Sequence, residues 1–192
     1  MNNKKIIIAV TGASGSIYAK QLLSDVLNNS NDDISIIFSE TGKKVWLYEL
    51  NEPIPVANHR ISIFENDDLF APPSSGSSHY DFMIVIPCSM GTLARITHGI
   101  SHDLICRSAD VILKEQKKLI LVPREFPYNL IHLTNMQQLA QAGGIILPAS
   151  PSFYSNPVSI SDLIKTVTHR ILSMIDIKTD FFEWGKNNTG IC

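Results

Sequence analysis

Basic side chains in the second half of the chain have the type and spacing expected of a phosphate site. Arg107 and Lys114 lie seven residues apart in a segment with helical periodicity, so they share a helix face about 10 Å apart along the axis. Two such charges alone are more typical of a solvated face. Arg124, however, follows a strand-like run at 119–123, where ligands bind in parallel sheets, and arginine presents paired donors to phosphate. Tyr154 and Arg170 come later in the chain.

A second candidate phosphate site is the glycine-serine turn at 11–16, which includes Gly12, Ala13 and Ser14 and follows an apolar strand. Backbone N–H groups and the helix dipole favour an anion at the start of the next helix; the alternative is a plain strand-to-helix turn. The glycine spacing is G-x-x-G, and the chain has neither G-x-G-x-x-G nor G-x-x-x-x-G-K-[ST]. These patterns favour a mononucleotide over NAD or ATP. Two phosphorylated ligands indicate a transferase rather than a carrier.

Polar side chains at two further strand ends, and one beside Arg124, extend the candidate site. Ser39 follows the second strand, and Ser89 and Thr92 follow the third, where they can bind a ligand, cap a helix or do both. Glu125, beside Arg124, is placed to pass a proton to a leaving phosphate or simply to orient the arginine.

The remaining composition excludes several classes of function. The six histidines are scattered without metal-ligand spacing, and Asp32-Asp33 and Asp67-Asp68 lack the D-D-x-x-D pattern that holds magnesium on a diphosphate. Arginine and lysine must therefore neutralise any ligand phosphate. Three cysteines without a CxxC pair indicate a reducing cytoplasm. A net charge of −2 does not favour nucleic acid as a partner, and no apolar run reaches the ~18 residues of a membrane span.

Strands and helices alternate along the whole chain, without a repeat or an interdomain linker. This order predicts a single-domain α/β protein, 1–192, with a core of about 5–176 and a C-terminal tail, 177–192. The expected fold is a doubly wound, Rossmann-like or flavodoxin-like parallel sheet with helices on both faces. Residues 51–80 are the least regular part and predict a long functional loop. Strands are predicted at 6–10, 34–38, 82–87, 119–122 and 145–147, and helices at 17–27, 39–49, 90–97, 103–116, 129–142 and 160–175.

Several of these motifs, taken in order, resemble the UbiX-type flavin prenyltransferases. The resemblance runs from about residue 5 to 185 and is weakest at 51–71 and after Trp184. The motifs that carry it are Thr11-Gly12-Ala13-Ser14-Gly15, Ser74-Ser75-Gly76-Ser77, Pro87-Cys88-Ser89, Arg107-Ser108-Ala109-Asp110-Val111, Leu113-Lys114-Glu115, Leu121-Val122-Pro123-Arg124-Glu125 and Phe153-Tyr154.

The resemblance implies a metal-independent transfer of a dimethylallyl group from dimethylallyl monophosphate to N5 and C6 of reduced FMN. The product, prenylated FMN, would serve a UbiD-type decarboxylase, as in ubiquinone biosynthesis. The family also implies a homo-oligomer, commonly a dodecamer, with sites shared between subunits.

The resemblance also assigns roles by position. Ser14 would lie near the flavin N5, Glu49 would be the acid–base group, and Glu125 would assist the departing phosphate. The FMN contacts would be Gly12, Ala13, Ser14, Ser39, Ser89, Thr92 and Arg124. The prenyl phosphate would be held by Arg107, Lys114, Arg124, Tyr154 and Arg170.

Two other functions stay open at this point. One is a flavin-dependent decarboxylase of the related cysteine-decarboxylase superfamily, which needs a catalytic histidine and an asparagine-containing clamp that has no clear counterpart here. The other is a non-catalytic FMN-binding subunit of a decarboxylase, which would leave Arg124, Tyr154 and Arg170 unexplained.

Overall fold

The computed structural model describes residues 3–182 and residue 185, and it contains one six-stranded parallel sheet. The strand order is β3-β2-β1-β4-β5-β6. The strands are β1 (Lys5–Val10), β2 (Asp33–Phe38), β3 (Ile61–Glu65), β4 (Phe82–Cys88), β5 (Lys118–Pro123) and β6 (Ile145–Ile146). The helices are α1 (Ser16–Asn29), α2 (Glu40–Leu50), α3 (Met90–Thr97), α4 (Leu104–Lys114), α5 (Leu130–Gln141) and α6 (Ile160–Met174).

The central strands are apolar without alternation because helices cover both faces of the sheet. Every residue of β4 is buried, and in β1 only Lys5 is exposed. Side chains of α1, α2 and α6 pack in the apolar cluster on one face, and those of α3, α4 and α5 pack in the cluster on the other. The predicted doubly wound α/β fold is therefore confirmed.

Side-chain caps fix where several helices begin. The Ser39 hydroxyl accepts a hydrogen bond from the Gly42 N–H at the start of α2, and the Ser89 hydroxyl accepts one from the Thr92 N–H at the start of α3. Ser159 and Asp162 form a capping box at the start of α6, as their spacing predicts.

The segment 51–80 is more regular than the sequence predicts. It contains β3, which pairs with β2, and two short 3-10 helices, Pro72–Ser74 and Gly76–Ser78. The sequence prediction missed β3 because this edge strand is only partly buried and lacks a continuous apolar run. Within the predicted tail, Ile177 is buried and Phe181 packs edge-on against His169. Residues 183–184 and 186–192 lie outside the described part.

The sheet order creates a crevice between the carboxyl ends of β1 and β4. The chain leaves β1 for a helix on one face and leaves β4 for a helix on the other, so the two connections diverge. Such switch points are where doubly wound sheets bind ligands. The turns at 11–15 and 88–92 therefore form opposite walls of one crevice. Among the described helices, none has the length and apolarity that crossing a bilayer requires.

Candidate active site

A buried threonine joins the two walls of the crevice. The Thr11 hydroxyl donates to the Pro87 carbonyl oxygen at 2.8 Å and accepts from the Ser89 N–H at 2.8 Å. Thr11 is 1% exposed, so water does not compete for these hydrogen bonds. The turn after β1 and the turn after β4 are consequently held in one fixed arrangement.

The two glycines of the G-x-x-G turn are required by different features. A Cβ on Gly12 would lie 2.5 Å from Cγ2 of Thr41, so the first turn of α2 leaves no room for a side chain. Gly15 has a φ of 113°, a left-handed conformation that residues with a Cβ rarely adopt. The spacing therefore reflects close packing and a sharp entry into α1.

Glu49 occupies the start of α1, where the sequence predicted a ligand phosphate. Its carboxylate accepts hydrogen bonds from the backbone N–H groups of Gly15 at 2.9 Å and Ser16 at 2.8 Å, with a further hydrogen bond from the Ser14 side chain. The prediction of a phosphate at this helix start is corrected, because the protein supplies its own anion to the helix dipole.

The same contacts set the charge of Glu49. Partial burial raises the pKa of the Glu49 carboxyl, but the hydrogen bonds from Ser14, Gly15 and Ser16 outweigh burial and hold the pKa below its ordinary value. Glu49 is exposed at the mouth of the crevice and is a carboxylate at neutral pH. Glu49 is therefore in the ionised form that a proton acceptor requires.

Arg124 joins this group from the end of β5. Its Nε donates to the Ser14 carbonyl oxygen at 3.2 Å, which places the guanidinium beside the turn after β1. Glu125, the next residue, is exposed, and its Oε1 accepts from the Phe126 N–H. The structure thus brings together Ser14, Glu49 and Arg124.

Ser89 and Thr92 lie on the opposite wall together with an arginine that sequence reasoning missed. The Ser89 and Thr92 hydroxyl oxygens are 3.0 Å apart, and Nη2 of Arg95 donates to Thr92 Oγ1 at 3.2 Å. Thr92 is 3% exposed, whereas Ser89 is partly exposed to the crevice. The three-residue spacing of Thr92 and Arg95 on a helix was the available signal.

Arg107 and Lys114 contact a different part of the chain, the segment containing the two 3-10 helices. Nε of Arg107 donates to the Ser74 carbonyl oxygen at 3.1 Å, and its Nη1 pairs with Asp110 at 2.8 Å. Lys114 pairs with Glu115 at 2.7 Å, and its Nζ would lie 3.1 Å from a Cβ on Gly76.

A single chain does not bring Lys114 and Arg124 together. Lys114 ends α4 just before β5, and Arg124 follows β5, so the two residues lie at opposite ends of this strand. A six-residue parallel strand is about 20 Å long, which is too far for the Lys114 and Arg124 side chains to contact the same phosphate. The five predicted phosphate ligands therefore form separate groups within one chain.

Tyr154 and Arg170, the remaining predicted ligands, line a groove beside α6. Both are exposed, and the segment 176–182 forms part of the groove wall. The Ser152 N–H donates to the Thr166 hydroxyl at 3.1 Å, which fixes the segment before Tyr154 against α6.

The described residues hold no cluster of three histidine, cysteine or acidic side chains that could bind a metal ion. Cys88 and Cys106 are buried free thiols. Burial raises the pKa of Cys106 to about 11 and raises that of Cys88 further, so neither is a thiolate at neutral pH.

Sequence comparisons identify relatives over nearly the whole chain. A family model described as Flavoprotein matches residues 1–174. Flavin prenyltransferase UbiX of Methanocaldococcus jannaschii is 42% identical over 183 residues, covering 94% of this chain and 98% of that relative. Flavin prenyltransferase UbiX of Pseudomonas aeruginosa is 38% identical, covering 96% of both chains.

Solved structures of the same kind superpose closely. AnUbiX (PadA1) in complex with FMN and dimethylallyl pyrophosphate has a TM-score of 0.91 at 38% identity, covering 95% of this chain and 98% of that one. A dodecameric FMN-dependent UbiX-like decarboxylase from Escherichia coli O157:H7 has a TM-score of 0.88 at 36% identity, covering 93% and 98%.

Proposed function

Because the chain belongs to the flavoprotein family and to its UbiX-type flavin prenyltransferases, we propose that it prenylates reduced FMN. The dimethylallyl group of dimethylallyl monophosphate is transferred to N5 and C6 of the flavin without a metal ion. The product is prenylated FMN, a cofactor of UbiD-type decarboxylases such as that of ubiquinone biosynthesis. The observation that carries this function is the meeting of Ser14, Glu49 and Arg124 at the β1–β4 crevice.

The crevice has the donors and the open space that FMN requires. A Cβ on Gly91 would meet only Nη1 of Arg95, at 3.8 Å, so the start of α3 is open to a ligand. Hydroxyl groups and one guanidinium face the site, which suits the oxygen-rich flavin and its phosphate. The residues proposed to hold FMN are Gly12, Ala13, Ser14, Ser39, Ser89, Thr92 and Arg124. When bound, the reduced flavin supplies the electron-rich N5 and C6 that take up the allyl group.

Glu49 is proposed as the acid–base residue. Closing a ring at an aromatic carbon requires a proton to leave that carbon, and a positioned carboxylate can accept it. The two backbone N–H groups of α1 fix the Glu49 carboxylate in orientation and keep it ionised. Ser14, which is exposed and hydrogen-bonds to Glu49, is proposed to lie near N5 of the flavin.

Arg124, Tyr154 and Arg170 are proposed to hold the prenyl phosphate, with Glu125 assisting its departure. Preorganised cations stabilise the negative charge that develops as the C–O bond breaks. Because Lys114 and Arg124 lie at opposite ends of β5, we place Arg107 and Lys114 of a neighbouring subunit at this phosphate.

The proposal therefore includes a homo-oligomer, commonly a dodecamer in this family. It is supported by exposed apolar side chains near the carboxyl edge, including Phe126 at 80%, Leu130 at 78% and Ile131 at 70% exposure. Such surfaces are typical of protein interfaces. We further propose a cytoplasmic location, which the buried free thiols Cys88 and Cys106 support.

The deciding experiment is anaerobic incubation of the protein with reduced FMN and dimethylallyl monophosphate, followed by mass spectrometry of the released flavin. We expect a flavin that carries one added prenyl unit, and a parallel reaction with the diphosphate identifies the preferred donor. Unmodified FMN from both reactions would contradict prenyl transfer; if the protein still binds FMN, it would favour a non-catalytic FMN-binding subunit or a decarboxylase.

A further inference from the structure

Arg95 stands behind the crevice wall formed by Ser89 and Thr92. Its guanidinium lies between Thr92, whose hydroxyl it contacts at 3.2 Å, and Asp103, whose carboxylate is 3.7 Å away. Arg95 also lies beside Cys106, where its hydrogen bond and positive charge oppose the rise that burial causes in the pKa of the Cys106 thiol. Nε of Arg95 is buried without a hydrogen-bond partner among the residues that the structure describes. The nearby negative charge therefore satisfies this cation only in part.

Hydrogen-bond satisfaction fixes the direction of the contact between Thr92 and Ser89. A guanidinium only donates, so Thr92 Oγ1 accepts from Arg95. Thr92 is 3% exposed, and among the described residues the Ser89 oxygen is the other partner of its hydroxyl, so the Thr92 proton is satisfied only by donation to Ser89. The Ser89 oxygen, 3.0 Å away, accepts that proton and also accepts from the Thr92 N–H. With both of its acceptor sites used, the Ser89 hydroxyl can only donate its proton into the crevice.

The other helix starts at the crevice are less suited to an anion. Glu49 already occupies the start of α1, and Glu40 places an acidic side chain in the first turn of α2. The first turn of α3 has no acidic residue and has Arg95 behind it. Electrostatic complementarity therefore points to the Ser89 end of α3 for a negatively charged oxygen.

We propose that Arg95 is a positioning residue for the flavin, acting through Thr92 to make Ser89 a hydrogen-bond donor to an anionic oxygen of reduced FMN. This inference rests on the proposed function, because it takes Ser89 as an FMN contact. In this arrangement Thr92, which is 3% exposed, acts on FMN through Ser89. Two parts of reduced FMN carry negative charge on oxygen: the phosphate group and the C2 oxygen of the flavin ring.

The test measures the dissociation constants of FMN and riboflavin, and the midpoint potential of bound FMN, for the wild type and Arg95→Met. Methionine keeps an unbranched stem close in size to the aliphatic part of arginine but cannot donate. Loss of the hydrogen bonds that run from Arg95 through Thr92 to Ser89 should weaken FMN binding roughly tenfold, the effect of a lost hydrogen bond to a charged group. If the acceptor is phosphate, riboflavin binding stays unchanged. If it is the ring oxygen, both flavins bind more weakly and the midpoint potential becomes more negative.

Three variants separate this role from a structural one. Arg95→Lys keeps a cationic donor and should restore part of the affinity. Asp103→Asn keeps the cap on the Cys106 N–H but removes the charge beside Arg95, and it should bind FMN like the wild type. Lys44→Met, which removes an exposed charge from α2, should also bind FMN normally.

Several outcomes overturn the proposal. They are unchanged flavin affinity and potential in Arg95→Met, weaker binding of both flavins without a shift in potential, and an equal loss in Asp103→Asn. Failure of the proposed function is separate: a wild type that binds FMN but forms no prenylated flavin contradicts prenyl transfer and leaves the Arg95 measurements valid. A wild type that does not bind FMN overturns both.

Discussion

The Glu49 carboxylate, near the end of α2, accepts a 2.8 Å hydrogen bond from the backbone N–H of Ser16, the first residue of α1. Two helices on the same face of the sheet are thereby joined at the crevice. The contact has two consequences. It gives unpaired backbone N–H groups at the start of α1 a hydrogen-bond acceptor, and it holds a carboxylate where a proton must be accepted. The two consequences can be measured separately.

For catalysis, we expect Glu49→Gln to bind both substrates and to slow ring closure by ~10²–10⁴-fold, because the amide cannot accept the proton from C6. The substitution keeps the size and polarity of the side chain. A flavin alkylated once, without the fourth ring, should accumulate and be visible by its absorbance and mass. Turnover at the wild-type rate would show that Glu49 only caps the helix.

For stability, the lowered pKa of Glu49 predicts a pH dependence that Glu49→Gln removes. A carboxyl whose pKa is lower in the folded protein contributes stability above its unfolded value, ~4.3, and that contribution disappears as pH falls through the folded value. Thermal unfolding from pH 7 to pH 3 should show a gap between wild type and variant that narrows only at the acidic end. A gap that is constant over this range would contradict the shift.

Arg124→Ala should weaken binding of dimethylallyl monophosphate by ~1.5–3 kcal/mol, the contribution of a charged hydrogen bond to phosphate. FMN binding should fall less, because the contact of Arg124 with the crevice is a single 3.2 Å hydrogen bond to the Ser14 carbonyl oxygen. Calorimetry with each ligand measures both effects, and Lys44→Ala controls for the lost charge. Equal losses for the two ligands would mean that Arg124 serves mainly the flavin or the turn.

The sequence predicted the parts of this site that depend on local order. The apolar runs of β1 and β4 predict buried parallel strands, and the polar residues after them must then meet at one edge of the sheet. The resemblance to UbiX-type enzymes, carried by residues such as Ser14 and Arg124, is confirmed by relatives that cover about 95% of the chain. The residue roles remain predictions.

Contacts between distant segments were beyond sequence reasoning. Nothing local shows that Glu49, thirty-three residues from Ser16, reaches back to the start of α1. For Arg95 the spacing to Thr92 was a local signal, but its pairing with Asp103 at the start of α4 was not. β3 was missed because an edge strand needs no continuous apolar run.

The placement of Lys114 and Arg124 at opposite ends of β5 has a genetic consequence. If each active centre takes its lysine from one protomer and its arginine from another, two defective alleles can compensate for each other. At low dimethylallyl monophosphate, Lys114→Ala and Arg124→Ala should each have strongly reduced activity alone, whereas co-expression of the two should give mixed assemblies in which some centres have both native residues. More prenylated FMN from the co-expressed pair than from separately purified proteins combined without subunit exchange would establish this intragenic complementation. Its absence from mixed assemblies would place both residues in centres that a single protomer completes.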